Sequence, residues 1–313
     1  MDSKTDKQIL VAGATGLIGT ELVKSLVSIG YKVLVLTRNP DKVIATFPQG
    51  VGCLEWTGDF STSLVREVEK SYAVVNLAGE GIAQKRWTKK RRTQLVRSRL
   101  GTTRSLAKAC GFANPKPTVF IQASAIGYYP NSSSAIFTEE SEAGTSFLSR
   151  LTADWEKVAY NEVPEQIRLV IIRTGIVLST RGGMLKKMIL PIKMNLGAWF
   201  GSGKQMVSWI HIHDEVNAIL YLLCNPNLSG VFNLVAPKPT TQKAFVKNMG
   251  IQLHRLAFMS IPSFVVKLIY GSMGKELLLS GQNVEAKRLV ESGFEFSFPD
   301  LSLAIADFFR MKN

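Results

Sequence analysis

Gly13, Gly16 and Gly19 stand in the run Ile9-Leu10-Val11-Ala12-Gly13-Ala14-Thr15-Gly16-Leu17-Ile18-Gly19, where an apolar segment meets a glycine turn and then an amphipathic segment. This spacing could seat a pyrophosphate. The first glycine allows a tight turn after a strand, the second lets the backbone approach the anion, and the third lets a helix pack closely on that strand. Free N–H groups at the helix start, together with the positive end of its dipole, favour negative charge there. Gly13, Thr15, Gly16, Leu17, Ile18 and Gly19 are therefore the first candidate cofactor contacts. The plain alternative is a strand-to-helix turn without a ligand, because three glycines in register are a weak signal by themselves.

Thr37-Arg38 is the second chemistry-bearing pair, directly after the apolar run Val33-Leu34-Val35-Leu36. In a dinucleotide fold an acid at this place accepts from the ribose 2′-hydroxyl of NAD. An acid would repel a 2′-phosphate, whereas a guanidinium can hold one in bidentate fashion. The pair predicts NADP as the cofactor; the alternative is an arginine exposed in a turn.

The elements that must position these residues follow from apolar periodicity. Leu17, Ile18, Leu22, Leu26 and Ile29, ended by Gly30, predict a helix over 17–29. Strand, helix and strand within about 30 residues form a mononucleotide-binding unit. Beyond it, 61–70 reads as a short helix and 73–77 as a strand ending in Ala78-Gly79, a second place of close backbone approach. A long helix is expected over 90–110, a strand over 118–123 with Ser124 at its tip, a helix over 147–160 and a strand over 168–173. This alternation predicts an α/β fold, a doubly wound parallel sheet with ligands at the carboxyl ends of its strands. After Gly175 the glycine-rich segments 180–183 and 197–203 flank an apolar, lysine-bearing stretch and read as loops of a substrate cap. Asp214 is expected to N-cap a helix carrying Val216, Ile219, Leu220 and Leu223. A short strand over 232–235 and helices from 240 onward complete the reading.

With 313 residues and 46% hydrophobic content, the chain can bury a large core. Its three cysteines, Cys53, Cys110 and Cys224, are scattered and support neither a disulfide framework nor a zinc site. Residues 1–7 are polar with two acids and do not read as a signal peptide. The longer apolar segments are broken well short of the ~20 residues that span a bilayer. A cytoplasmic protein is expected, with no membrane partner. The net charge of +14 is local: residues 85–108 hold ten Lys or Arg and no acid, and the rest of the chain has 28 basic against 24 acidic residues. That segment reads first as a solvated helix face. No nucleic-acid-binding pattern accompanies it, so nucleic acid is not an expected partner.

At this point the chain resembles the extended short-chain dehydrogenase/reductase superfamily, and within it the NAD(P)-dependent epimerase-like proteins. The resemblance rests on the glycine turn, Leu36-Thr37-Arg38, Asn76-Leu77-Ala78-Gly79-Glu80, Arg86-Trp87, Ser98-Arg99, Ser124-Ala125-Ile126-Gly127-Tyr128-Tyr129, Trp155-Glu156, Arg173-Thr174-Gly175-Ile176-Val177-Leu178, Gly201-Ser202-Gly203-Lys204-Gln205, Trp209-Ile210-His211-Ile212 and Gly281-Gln282, in order across nearly the whole chain. It implies a Rossmann core over 1–178 and a smaller, mainly helical cap region over 179–313. Within the latter, about 206–236 would return to the core and a small C-terminal domain would lie at about 250–300. It also implies an NADP pocket with Thr37 and Arg38 at the adenosine phosphate. Leu77, Ala78 and Gly79 would lie beside the ribose or nicotinamide, Gln94 and Arg99 would reach in from the long helix, and Val177 would lie near the nicotinamide.

Hydride transfer also needs a group that carries the proton of the reacting hydroxyl. In ordinary members of the superfamily a Tyr does this, with a Lys four residues later lowering its pKa and a Ser orienting the carbonyl. Ser124 occupies the serine place, but the Tyr and Lys places fall on Leu148 and Thr152, which cannot carry the proton. Tyr128 and Tyr129 are the substitute candidates. A phenol of pKa ~10 needs a cation beside it, for which Lys204 and Arg99 come into question. The alternative is that both rings wall the pocket and Ser124 bonds a loop. His211-Ile212-His213-Asp214 offers too few ligands for a metal, so His211 reads as a pocket or core residue. The expected function is an epimerase-like oxidoreductase acting on a small polar molecule, a nucleotide sugar among the candidates, as monomer or homodimer. The competing function is a catalytically idle NADP-binding sensor or regulatory partner protein, for instance in cell division.

Overall fold

The computed structural model describes residues 6–309, so residues 1–5 of the polar N-terminal stretch lie outside the described residues. At its centre is a seven-stranded sheet in the spatial order Gly230–Leu234, Arg168–Thr174, Val119–Ala125, Ser71–Asn76, Gln8–Ala12, Lys32–Thr37 and Gly52–Glu55. All its pairings are parallel. The order reverses between Gln8–Ala12 and Ser71–Asn76, and this switch point is where a doubly wound sheet opens a crevice at its carboxyl end.

The strands are near-continuous apolar runs because both faces are covered. Ile9 and Val11 point to one side, into a core shared with Val33, Val35, Ala73, Val75 and the helices Leu17–Ser28 and Ile212–Cys224. Leu10 and Ala12 point to the other, against Leu36, Val74, Phe120 and the helices Thr62–Glu69 and Lys89–Phe112. Ser61 and Thr88 N-cap the last two helices, their side chains accepting from Leu64 and Arg91.

Outside this sheet the described residues add short two-stranded pairs, three of them parallel and one, Met206–Val207 with Thr240–Thr241, antiparallel. Ile176–Leu178 runs beside Trp209–His211, Ala198–Phe200 beside Met259–Ile261, and Ser132–Phe137 beside Gln282–Val284. The apolar, lysine-bearing stretch between the two glycine segments is the helix Gly183–Lys193. A separate core of Leu185, Trp209, Phe245 and Ile305 ties this region to the helix Leu301–Phe309.

The helix over Ile212–Cys224 corrects one expectation. Its N-cap is His211, whose Nδ1 accepts from the His213 N–H at 3.1 Å, and Asp214 lies inside the first turn. Asp214 instead accepts from the backbone N–H groups of Ser297 and Phe298, both at 2.9 Å, and so ties the C-terminal segment to the core. The His211 ring lies against Phe298 and Phe308, and burial pushes its pKa down to about 4.

Glu215, next in the chain, is fully buried; the Thr174 hydroxyl donates to its Oε1 at 2.7 Å, while Oε2 has no partner among the described residues. Burial pushes its pKa up to about 8. The folded chain therefore binds this proton more tightly than the unfolded chain, where a glutamate titrates at about 4.3. Its contribution to stability falls as pH rises from that value towards 8. Glu215→Gln, which cannot ionise, is expected to raise the thermal midpoint by several degrees at pH 8.5 and by much less at pH 5. Melting curves at the two pH values check this; an equal change at both would show that the carboxylate is not the cause.

Candidate functional site

At the switch point Gly13 has φ +78°, and a Cβ there would lie 2.5 Å from the carbonyl carbon and oxygen of Leu77. Two strand ends meet here: the Leu77 N–H donates to the Ala12 carbonyl at 2.9 Å. The Gly16 N–H closes the turn onto the Gly13 carbonyl at 3.0 Å, and a Cβ on Gly19 would fall on that same oxygen. Gly16 is the N-cap of the helix and provides no side-chain hydrogen bond, so no cap claims the first amides. Thr15 faces the cleft, while Leu17 packs on the 182–183 turn, where the Val177 carbonyl lies beside Gly183. Ile18 packs on the core beneath the sheet.

A cleft of about 540 Å³ opens from this turn past Leu36, Thr37, Arg38 and Lys42 to Trp56 and Gly58, with Leu77, Ala78, Gly79 and Glu80 along its other wall. Thr37 holds the turn, its Oγ1 accepting from the Asn39 N–H at 3.1 Å. The Arg38 side chain is 75% exposed and lies 3.7 Å from one Glu80 oxygen, while the other accepts from Arg91 at 3.2 Å. Arg91 is only 8% exposed at its side chain and also donates to the Gly81 carbonyl at 2.7 Å. Glu80 is thus held by a buried partner, and Arg38 is the arm free to turn towards an anion. Open helix amides, a glycine turn that permits close approach and cations at the far edge fit a dinucleotide with a phosphate near Arg38. Glu80, Arg91 and Trp56 were missed in the sequence. Only Glu80 carried a signal, as the residue following the glycine at a strand end.

The long helix meets the cleft through Ser98 and Thr102. Arg99 lies under Gly79, donates to the Glu80 carbonyl at 3.1 Å and covers the Trp155 ring, so it clamps the loop. Burial pushes its pKa down to about 10. Gln94 is exposed, and its side chain accepts from Arg91 at 3.4 Å.

Ser124 and the two tyrosines join a buried polar network. The Ser124 hydroxyl donates to Glu156 at 2.5 Å, and Arg173 grips both oxygens of Glu156 at 2.8 Å. The same guanidinium donates to the Tyr129 hydroxyl at 2.9 Å, which donates in turn to Asn233 at 2.7 Å. Burial pushes the Tyr129 phenol up to about 12 despite that cation. Tyr128 is different: its ring lies over Arg173 at 3.5 Å, and its hydroxyl makes no hydrogen bond among the described residues. The cation beside the tyrosines is therefore Arg173, and neither Lys204 nor Arg99 fills that place.

Residues 9–234 match the model of the NAD dependent epimerase/dehydratase family. The chain belongs to that family. Residues 261–308 match a domain of unknown function, DUF1731. The epimerase family protein Mb2239 of Mycobacterium bovis is 36% identical over 92% of this chain and 93% of its own length. Human epimerase family protein SDR39U1, whose crystal structure was solved with NADPH, is similar with a TM-score of 0.84 and 34% identity over 96% of this chain and 98% of that one. A nucleoside-diphosphate sugar epimerase from Corynebacterium glutamicum gives a TM-score of 0.77 and 26% identity, covering 97% of this chain and 58% of that chain.

As an NAD dependent epimerase/dehydratase family member, the chain departs from the Tyr and Lys pair of ordinary relatives in a defined way. The helix Phe147–Glu162 carries Leu148 packed near Gly127, and Thr152 with its hydroxyl turned back to the Leu148 and Ser149 carbonyls. One turn further on, Glu156 engages Ser124 from the same helix.

Proposed function

We propose that this chain is an NADP(H)-binding, epimerase-like oxidoreductase of the extended short-chain dehydrogenase/reductase type, acting on a small polar substrate of the nucleotide-sugar class. The observation that carries the cofactor reading is the exposed Arg38 guanidinium at the end of a cleft that begins at uncapped helix amides. The NADPH complex of the human relative supports it, and the relative named as a nucleoside-diphosphate sugar epimerase supports the substrate class. When bound, the cofactor would supply or take up hydride at its nicotinamide ring. Among the candidate proton carriers, Tyr128 is the one whose hydroxyl is uncommitted among the described residues, and its ring lies over Arg173.

The test measures NADPH and NADH affinity for the chain and for Arg38→Asp. NADPH is expected to bind at least roughly tenfold more tightly, and the substitution is expected to remove most of that preference, since it trades a charge-assisted contact for repulsion. Equal affinity for both cofactors, or an equal loss for both in the variant, overturns the assignment. NADPH oxidation or NADP reduction with a panel of nucleotide sugars then tests the reaction.

One observation favours the second reading, a catalytically idle NADP(H)-binding regulator: Ser124 is tied to Glu156, and no Tyr or Lys stands at 148 or 152. This reading expects silence across the panel and capture of a protein partner that changes with cofactor. Identical capture with and without NADPH would sink it.

A further inference from the structure

The basic charge left over from the cofactor site and the largest run of exposed apolar side chains occupy the same side of the molecule. Helix Ser263–Leu277 buries Val266 and Met273, the latter beside Trp87 and Leu95, and turns Phe264 and Leu268 outward, 69% and 76% exposed. The strand Met259–Ile261 leads into it and pairs with Ala198–Phe200, which brings exposed Phe258 and Leu256 beside the end of helix Gly183–Lys193. There the Leu256 N–H donates to the Asn195 side chain at 3.0 Å, and Leu190 and Met194 are exposed one turn apart. An apolar face of this kind, built from two helices and the loop between them, is more than isolated exposed residues.

The exposed charge on these segments has one sign; Glu276, near the end of helix Ser263–Leu277, is half-buried and accepts from the Phe147 and Leu148 N–H groups. Residues 181–204 carry five Lys or Arg and residues 238–275 carry six, with no acid in either segment. Lys193, Arg255 and Lys267 are exposed and interleave with the apolar side chains. The acid-free start of the long helix meets helix Ser263–Leu277 at its break at Gly271, since Arg92 donates to Ser272 at 2.9 Å and Arg86 lies near Gly271. A second copy of this chain would set lysine against lysine there. A nucleic acid would use the cations but leave Phe264 and Leu268 in water. An anionic lipid surface takes both, with apolar side chains entering the headgroup boundary and Lys and Arg pairing with lipid phosphates and carboxylates.

The geometry points to this face as a peripheral docking surface for an anionic membrane. No helix among the described residues is long and apolar enough to cross a bilayer, so the chain would lie on the membrane through this face. The sequence alone predicts no spanning segment and no membrane partner. This face is not visible in the sequence, because its apolar residues come from three separate segments, 190–194, 256–258 and 264–268.

Flotation of the full chain with phosphatidylcholine vesicles, with and without about one-third phosphatidylserine, tests the inference. At low salt, recovery with anionic vesicles is expected to exceed that with neutral ones by roughly tenfold and to fall as salt is raised. Phe264→Ser with Leu268→Ser, and separately Leu190→Ser with Met194→Ser, should each cut recovery about fivefold with an unchanged melting curve. Lys193→Glu with Lys267→Glu should do the same. No recovery, equal recovery with both vesicles, or serine variants that float like the parent chain overturn it. So does a dimer that the serine variants convert to monomer, which would assign the face to a second copy. Retention on RNA at low salt that the lysine variants abolish and the serine variants leave intact, with no vesicle binding, would assign it to nucleic acid. NADPH affinity is expected to be unchanged in all these variants.

Discussion

Gly13→Ala is expected to lower dinucleotide affinity by at least about a hundredfold. Two costs coincide at this position. Alanine at φ +78° is held in the left-handed region, which costs of order 1 kcal/mol. Its Cβ would also lie 2.5 Å from the Leu77 carbonyl and 2.8 Å from the Ala78 nitrogen, backbone atoms that cannot turn aside as a flexible side chain would. Strand end and loop must separate, and both line the cleft. Gly50→Ala is the control for backbone strain alone: φ is +96°, yet nothing lies within 4 Å of its would-be Cβ, so affinity should be unchanged. Gly16→Ala isolates the ligand's share. Gly16 has φ −78°, and a Cβ would meet only the Gly13 carbonyl at 3.1 Å, so the fold should hold while the methyl fills the space of the approaching anion. Titration calorimetry with NADPH reads all three, and near-parent affinity in both Gly13→Ala and Gly16→Ala would remove the glycine turn from the site.

The glycine turn was legible because its signal is local: three glycines, one strand and one helix lie within 22 residues, from Gln8 to Ile29. The same holds for six of the seven parallel strands, which announce themselves as apolar runs divided by helices, and for the absence of a Tyr and Lys at 148 and 152; the edge strand Gly52–Glu55, with alternate residues exposed, has no such run and was not expected. Contacts between distant segments were not legible. Nothing around residue 80 says that Glu80 will meet Arg38 across the cleft and Arg91 behind it, 42 and 11 positions away. Asp214 had the right type for a helix cap, but His211 reached the amide first, and the carboxylate found backbone N–H groups more than 80 residues later in the chain. Ser124, Tyr128 and Tyr129 stood out as candidate catalytic groups, and the structure places Ser124 and Tyr129 in a buried network. What the sequence could not supply was Arg173 and Glu156, which satisfy them from a neighbouring strand and a covering helix.

Arg173→Met is expected to cost about 3–5 kcal/mol of unfolding free energy, because it leaves a buried carboxylate without its counter-charge. Glu156 and Arg173 are both nearly inaccessible, 5% and 4% at their side chains, and are joined through two hydrogen bonds of 2.8 Å. After the substitution only the Ser124 hydroxyl would still donate to Glu156, while Tyr129 would lose the donor to its oxygen. The loss belongs to the unpaired charge more than to the pair itself, and a double variant separates the two. Arg173→Met combined with Glu156→Leu removes both charges and should recover a large part of the stability, although Ser124 then loses its acceptor. Urea unfolding of the single and double variants gives the coupling between the residues. A double variant no more stable than Arg173→Met alone would show that the network holds the sheet by shape and that the charge is incidental. The same proteins also separate structure from chemistry. If Arg173 matters only through Glu156, the double variant regains NADPH binding with the fold. If the guanidinium under Tyr128 also serves the chemistry directly, any turnover stays lost in the double variant.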